Sequence, residues 1–235
     1  MDLKRFFVPD KIVGDKIVLE NEEFYHAVKV TRHKVGYLII VCDNTNYDYY
    51  AKITEINKDN LVAKVEKKEI NIAESVKNIT LYAGINKDID VTVQKAVELG
   101  VTRIVPFTSQ HGNIAKVNYD RLIKIILESS KQCGRSKLAS LGKVVTFEQA
   151  IDDAKDSNIM LFYEHERQKM VLDTDIDNDK DIAIFIGSEG GFAKQEIDFA
   201  IKNNAKILTL GKRILRVSTA VVAGITLCMT LIGEM

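Results

Sequence analysis

From residue 79 onward, short apolar runs alternate with helical patterns, and no other feature constrains the fold as strongly. The apolar runs are ITLYAGI, RIVPFTS, NIMLFYE, DIAIFIG and AKILTLG, which begin at residues 79, 103, 158, 181 and 205. Amphipathic patterns lie between them, such as VTVQKAVELG, ending at Gly100, and YDRLIKIILESSKQCG, ending at Gly134. Apolar strands that alternate with helices are typical of a mostly parallel sheet covered on both faces. Ligands of such sheets bind at the carboxyl ends of the strands.

Residues 1–70 follow a different pattern, which predicts a separate small β-barrel. Four β-type runs, KIVLE, YLIIVCD, YYAKITEI and LVAKVEKKEI, are separated by turn segments such as DNTNYD and NKDN. One helical pattern, NEEFYHAVKVTR, interrupts them, with Asn21 as its candidate N-cap. Closely spaced short strands are typical of small barrels. We therefore predict an α/β protein with a barrel over 1–70 and an α/β domain over 75–235, joined near 70–78.

The composition argues against several classes of protein. Lysine plus arginine equals aspartate plus glutamate at 33 each, which gives no support for indiscriminate nucleic-acid binding but leaves local basic patches open. The three cysteines are far apart and the four histidines lack metal-ligand spacing, so we expect neither disulfides nor a metal, and a reducing cytoplasm. The apolar segment 217–233 is shorter than the roughly 20 residues of a membrane span. We interpret it as a buried or interfacial helix.

A glycine-rich turn, GSEGGF, follows the apolar run DIAIFIG. Its spacing, Gly187-x-x-Gly190-Gly191, matches neither the dinucleotide turn nor the P-loop. Glu189 is a further argument against a phosphate ligand, because a carboxylate would compete for the amide donors that hold the phosphate. A neutral or cationic ligand suits the turn better. The alternative is a tight turn without a ligand, in which Glu189 is favourable near the start of a helix.

A second loop, LTLGKRILRVSTA, also begins at the predicted carboxyl end of a strand. Gly211 ends that strand, and the cations Lys212, Arg213 and Arg216 follow before a long apolar helix. Two loops that follow successive strands can enclose one ligand between them. The alternative interpretation of the three cations is an exposed loop edge in contact with solvent.

The two loops, taken with four other segments, resemble the SPOUT-class RNA methyltransferases, and most closely the family that methylates N3 of a uridine in 16S ribosomal RNA. The matching segments are RFF at 5–7, HAVKVTRHKVG at 26–36, QKAVELGVTRIVP at 94–106, KQCGR at 131–135, IGSEGGF at 186–192 and LGKRILRVSTA at 210–220. They occur in the family's order and extend over nearly the whole chain.

The resemblance implies a fold and a cofactor that composition and spacing do not reveal. The first domain would be a PUA-like, RNA-binding barrel. The second would be a SPOUT α/β domain with a deep C-terminal trefoil knot, paired into a homodimer through its apolar last helix. The knot loops would bind S-adenosyl-L-methionine. The residues that the resemblance implies for this cofactor are Leu161, Gly187, Glu189, Gly190, Gly191, Leu210, Gly211, Ile214, Leu215, Ser218 and Ala220.

The substrate would be 16S ribosomal RNA within the assembled small subunit. Uracil N3 is a weak acid hidden in base pairs, so the uridine must be unpaired or extruded. We expect Arg216 to stabilise the anion that forms, with Arg135 reaching in from the partner chain. Glu164 is a candidate general base, although an exposed loop glutamate is the simpler interpretation. Candidate RNA contacts are Lys4, Arg5, Arg32, Lys34, Lys95 and Arg135.

The sequence departs from the family's pattern at three places. Ser188 replaces a proline, Ser218 replaces an acidic residue, and His111, Gly112 and Asn113 stand where the family has arginine and serine. The change at Ser218 keeps open a non-catalytic RNA-binding or ribosome-assembly protein that retains the fold. A nucleotide-dependent α/β enzyme such as a dehydrogenase is a third alternative, which the missing phosphate motifs disfavour.

Overall fold

The computed structural model describes residues 3–112 and 116–235. The chain forms two compact units. The first contains Met1–Glu74 with Leu127–Leu138, and the second contains Ser75–Ile126 with Ala139–Met235. The sequence analysis had assigned Leu127–Leu138 to the second domain, whereas these residues pack within the first unit. Asn113, one of the residues at which the sequence departs from the family's pattern, lies outside the described residues.

The first unit is built on a five-stranded sheet with the strand order β1-β3-β4-β5-β2. Both edge strands, β1 and β2, contribute to one inner core, as in a strongly curved sheet. The four predicted strands of this region are present as β2 (Lys16–Glu20), β3 (Leu38–Cys42), β4 (Tyr47–Ile56) and β5 (Asn60–Ile70). A further strand, β1 (Arg5–Phe7), was not predicted.

A short helix, α1 (Asn21–Tyr25), follows β2 and continues as a π-helical turn, His26–Val30. The predicted cap is wrong in detail. Glu20 occupies the N-cap position without a side-chain hydrogen bond, and Asn21 is the first helical residue, with a φ of 50°. Asparagine tolerates this left-handed backbone conformation better than most residues, because its short polar side chain hydrogen-bonds locally. The residue that resembles a cap therefore makes a tight entry into the helix.

Strand β1 is buried on both faces. Phe6 is 0% exposed and belongs to the inner core with Val41, whereas Phe7 packs in a second cluster with Cys42 and Leu127. Successive side chains of a strand point to opposite faces, so both rings are buried only because both faces are covered. These two aromatic rings are therefore not available to stack on RNA bases.

The second unit contains a parallel sheet with the strand order β12-β10-β11-β6-β7-β8, and β9 pairs with β7. This confirms the predicted α/β architecture. Its strands are β6 (Ile79–Gly84), β7 (Arg103–Thr108), β8 (Ser140–Leu141), β9 (Val145–Thr146), β10 (Asn158–Phe162), β11 (Ile182–Ile186) and β12 (Lys206–Leu208). Its helices are α2 (Ile89–Glu98), α4 (Phe147–Asp153), α5 (Lys194–Lys202) and α6 (Val217–Leu231). Helix α3 (Tyr119–Cys133) begins in this unit, and its residues from Leu127 onward belong to the first unit. Helices α2 and α3 end at the predicted glycines, Gly100 and Gly134, with φ of 87° and 86°.

Helices cover both faces of this sheet. Residues of α4 and α5 pack with Phe185 in one apolar cluster, in which Phe185 stacks on Tyr82 with 4.4 Å between the ring centroids. The next residue, Ile186, points to the other face and lies against Gly224 of α6. Helix α6 buries Val221, Ile225 and Cys228, as expected for a helix that is apolar on most sides. Among the described residues, no helix has the length and apolar character needed to cross a membrane.

Candidate active site

A cavity of about 600 Å³ opens at the carboxyl ends of four neighbouring strands of the second unit. Its lining residues come from loop 87–88 after β6, from 162–165 at the end of β10, from 186–191 at the end of β11, and from parts of 209–220 after β12. Strands β12, β10, β11 and β6 are consecutive in the sheet, so these loops meet at one edge. The cavity therefore lies where the strand-end rule places a ligand site.

Most residues predicted to bind the cofactor line this cavity. They are Gly187, Glu189, Gly190, Gly191, Leu210, Gly211, Ile214, Leu215 and Ala220, together with the predicted catalytic Arg216. Leu161 does not. It lies one residue before the cavity-lining end of β10, so strand alternation turns its side chain into the core, where it is 0% exposed. Ser218, in the first turn of α6, is also absent from the described lining, whereas its neighbour Val217 is present.

The glycine-rich turn is held by close backbone packing. Gly191 has a φ of 68°, and its N–H donates a hydrogen bond to the Ser188 carbonyl at 3.0 Å. A Cβ on Gly84, the last residue of β6, would lie 2.8 Å from the Gly187 carbonyl carbon and closer still to the Ser188 amide nitrogen. A Cβ on Gly190 would collide with the His111 carbonyl oxygen. The glycines therefore let three backbone segments approach one another.

Glu189 has a structural partner across the turn. Its Oε1 accepts a hydrogen bond from the Lys87 backbone N–H at 3.2 Å, which joins the β11 loop to the β6 loop. Ser188, which replaces the family's proline, is 6% exposed, and its Oγ lies 3.4 Å from the Ser109 hydroxyl. A proline offers no such hydroxyl contact. The carboxylate and the serine thus connect the glycine-rich turn to its neighbouring loops.

Charged side chains of both signs line the cavity. The cations are Lys87, Arg213 and Arg216, and the carboxylates are Asp88, Glu164 and Glu189. Within the described residues, none of the six side chains forms an ion pair. Tyr163 lies beside them, and burial, followed by the charges of Glu164 and Asp198, raises its pKa. Such a charge-balanced cavity suits a zwitterionic or cationic ligand better than a polyphosphate.

Several lining residues were missed by the sequence analysis. Lys87 and Asp88 follow the apolar strand β6, and Phe162, Tyr163 and His165 surround the end of β10. The signal for the first pair was available, because the strand-end rule applies to β6 as much as to β11. It was overlooked because no glycine-rich turn marks the end of β6.

Comparisons with known proteins identify the family. The RNA methyltransferase domain model matches residues 73–229, and the RNA methyltransferase PUA domain model matches residues 19–66. The chain belongs to the family of ribosomal RNA small subunit methyltransferase E. A member from Mesomycoplasma hyopneumoniae is 31% identical over 233 residues, covering 96% of this chain and 98% of the relative. A member from Rickettsia conorii is 29% identical over 234 residues, covering 96% of this chain and 94% of the relative.

A solved structure of the same family shares the fold. The ribosomal RNA small subunit methyltransferase E from Neisseria gonorrhoeae, bound to S-adenosyl methionine, aligns with a TM-score of 0.88 at 28% identity. The alignment covers 98% of each chain. The match extends over both units, so the PUA-like unit and the methyltransferase unit occur together in this family.

The predicted RNA contacts of this family member fall into two groups. Lys4, Arg32 and Lys34 are exposed in the first unit, where Tyr25 and Tyr37 are also 61% and 48% exposed. Arg32 has a φ of 55°, which is uncommon for a residue other than glycine. Lys95 of the second unit is partly buried, and its Nζ lies 2.7 Å from Glu98. Exposed cations and exposed tyrosines on the same unit are the combination that suits single-stranded RNA.

Arg5 and Arg135 are placed differently, and the structure argues against RNA contact by either. Arg5 pairs with Asp48 through its two terminal guanidinium nitrogens, Nη1 and Nη2, and each side chain is 9% exposed. Arg135 is 2% exposed and its Nη2 donates to Glu74 at 2.9 Å. Burial and a carboxylate partner within the same unit give both arginines a structural role. The catalytic role expected for Arg135 has no support in this arrangement.

Proposed function

We propose that the protein transfers a methyl group from S-adenosyl-L-methionine to N3 of a uridine in 16S ribosomal RNA of the small subunit. Family membership supports the reaction class, and the cofactor of the Neisseria relative supports the methyl donor. The observation that carries the proposal is the charge-balanced cavity, whose lining includes both of the loops that the sequence singled out. S-adenosyl-L-methionine is itself zwitterionic, with a cationic sulfonium and no phosphate.

The residues present fit this cofactor. The close-packed turn 187–191 exposes backbone donors and acceptors at the cavity wall, and Leu210, Ile214 and Leu215 add apolar surface for an adenine ring. Glu164 lies against Gly191, where a carboxylate can accept hydrogen bonds from ribose hydroxyls. When bound, the cofactor supplies an electrophilic methyl group.

Arg216 is the proposed anion-stabilising residue. As N3 loses its proton, negative charge spreads over the uracil carbonyl oxygens, and a guanidinium that is always charged stabilises that charge. Arg216 lines the cavity and has no ion-pair partner among the described residues, so its charge remains available. Arg213, three residues earlier, is a second cation on the same loop.

The RNA-binding surface that we propose consists of Lys4, Arg32, Lys34 and the two exposed tyrosines of the first unit. The deep trefoil knot, the homodimer paired through α6 and the cytoplasmic location remain proposals. The homodimer is supported by the surface of α6, where Val222 is 38% exposed and Leu227 and Leu231 are half-buried. The non-catalytic alternative relied on Ser218, and that side chain is not part of the described cavity lining.

Calorimetric titration and a methyl-transfer assay test the proposed reaction. Saturable binding of S-adenosyl-L-methionine, but not of NAD or ATP, is expected, followed by formation of N3-methyluridine on small subunits that lack it. The variant Arg216→Ala should lower the single-turnover rate by about 10²-fold while cofactor affinity changes little. The control Lys212→Ala removes an exposed cation of the same loop and should leave the rate unchanged.

Two results would contradict the proposal. Binding of NAD or ATP in place of S-adenosyl-L-methionine would favour a nucleotide-dependent enzyme. Binding of small-subunit RNA without methyl transfer would favour an RNA-binding or assembly protein that retains the fold.

A further inference from the structure

Asp88 occupies a distinctive place at the cavity. The loops of β10, β11 and β12 supply most of the lining, whereas Lys87 and Asp88 come from the β6 loop beyond them. Both residues are exposed, so they lie on a side of the cavity that solvent reaches. A large substrate such as RNA can approach an exposed wall, whereas the buried floor is accessible only to a small ligand.

We propose that Asp88 is the general base that accepts the proton from uracil N3, an inference that rests on the proposed function. A catalytic carboxylate has to reach both the cavity and the incoming base, and Asp88 lines the first from its exposed side. The sequence analysis left the base unidentified apart from the candidate Glu164.

Asp88 does not form the side-chain hydrogen bond that is usual for its position at the start of a helix. Asp88 is the N-cap residue of α2, a position where an aspartate ordinarily accepts a hydrogen bond from the helix amides and stabilises the helix. Here its side chain makes no capping hydrogen bond. Departures from such local preferences concentrate at functional sites. The carboxylate therefore remains available to a substrate instead of serving the helix.

The loop that carries Asp88 is firmly held. Asn86 is 3% exposed, its Nδ2 donates to the Gly84 carbonyl at 2.9 Å, and its Oδ1 accepts from the Asp88 N–H at 2.9 Å. The Lys87 N–H donates to Glu189. A catalytic group needs such support, because small displacements of a reacting atom reduce the rate strongly.

The other carboxylates of the cavity lining and its histidine have partners or contacts elsewhere. Glu189 accepts the Lys87 amide hydrogen bond, and Glu164 lies against the backbone of Gly191 on the glycine-rich turn. His165 packs edge-on against Tyr163, with 5.2 Å between the ring centroids. Of the three carboxylates in the described lining, Asp88 is the one whose side chain has no such hydrogen bond or contact.

The proton and electron balance of the step is simple. The N3 proton passes to an Asp88 carboxylate oxygen, the N3 electron pair forms a bond to the methyl carbon, and the methyl–sulfur bond breaks with its electrons left on sulfur. The products are N3-methyluridine, neutral S-adenosylhomocysteine and a protonated Asp88 that returns its proton to water.

The test compares Asp88→Asn with Asp90→Asn. Both substitutions remove a negative charge near the N-terminus of α2, so their effects through the helix dipole are matched. Asp90 pairs with Arg121 and does not line the described cavity. We measure the single-turnover methyl-transfer rate on small subunits, cofactor affinity by calorimetry, and RNA affinity. Asp88→Asn should slow transfer by about 10²–10⁴-fold with both affinities within threefold of the unsubstituted protein. Asp90→Asn should retain the rate.

Three outcomes would overturn the inference. Equal rates for the unsubstituted protein and Asp88→Asn would exclude Asp88 as the base while leaving the proposed function intact. A parallel loss of cofactor binding in Asp88→Asn would make the residue a cofactor contact. Absence of transfer by the unsubstituted protein would defeat the proposed function and this inference with it.

Discussion

Substitution of Glu74 by alanine should destabilise the first unit severely, because Glu74 is the partner of a buried arginine. Arg135 donates to the Glu74 carboxylate from Nε at 3.2 Å and from Nη2 at 2.9 Å. The backbone N–H groups of Ser136 and Lys137 donate to it at 3.1 and 2.9 Å. The two side chains are 3% and 6% exposed, so water cannot replace the lost contacts. Removing one partner of a buried pair costs about 3–5 kcal/mol.

That cost is large compared with the roughly 5–15 kcal/mol that stabilises a typical protein. In a chain of this size it corresponds to a fall in melting temperature of roughly 6–20 °C. Urea unfolding monitored by circular dichroism measures the free energy of unfolding. The control is Glu69→Ala, because Glu69 pairs with Lys67 while the side chains are 43% and 62% exposed. Removing such an exposed pair costs about 0–1 kcal/mol.

The same variants decide whether Arg135 has a direct role in methyl transfer. If Arg135 has only a structural role, the Arg135→Gln and Glu74→Ala variants should both be less stable than the unsubstituted protein. The reasoning is refuted if Arg135→Gln keeps the free energy of unfolding and loses methyl transfer, or if Glu74→Ala unfolds at the same urea concentration as Glu69→Ala. The first result would restore a direct role for this arginine, and the second would show that its pair with Glu74 does not stabilise the unit.

Two further substitutions test the cofactor turn and the RNA surface. Gly84→Ala should lower the affinity for S-adenosyl-L-methionine by at least about tenfold, because the new Cβ has no room beside Gly187 and overpacking costs about 1–3 kcal/mol. Unchanged affinity in calorimetry would show that the turn does not bind the cofactor. Arg32→Glu should weaken RNA binding and flatten the salt dependence of that binding, while cofactor affinity is kept. Filter-binding curves identical to those of the unsubstituted protein at several salt concentrations would show that Arg32 does not contact RNA.

The architecture was predictable because its strands and helices follow from local sequence patterns. Apolar runs separated by turn segments or helical patterns identified strands of both units, and the glycines after α2 and α3 ended those helices as expected. The strand-end rule located the loops at Gly187 and Gly211, which both line the cavity. Family motifs supplied the residues that we propose for cofactor binding. Each of these signals depends on residues that are close together along the chain.

The roles of individual charged residues were harder to predict. The sequence analysis treated Arg5, Arg32 and Arg135 alike, as candidate RNA contacts. In the structure, Arg5 and Arg135 form buried ion pairs and Arg32 is exposed. The difference arises from Asp48 and Glu74, which lie 43 and 61 residues away along the chain. Sequence patterns do not reveal such distant partners, because pairing depends on how the strands and helices pack.

The sequence alone determined the order of strands and helices, the two ligand loops and the family, because periodicity, glycine positions and short motifs are local properties. The tertiary structure decided which side chains share the cavity. It brought Asp88 to a wall formed mainly by loops about a hundred residues later, and it turned Leu161 into the core one position before the cavity begins. Neighbouring strands of a parallel sheet bring distant segments together, and a shift of one residue along a strand reverses the face to which a side chain points.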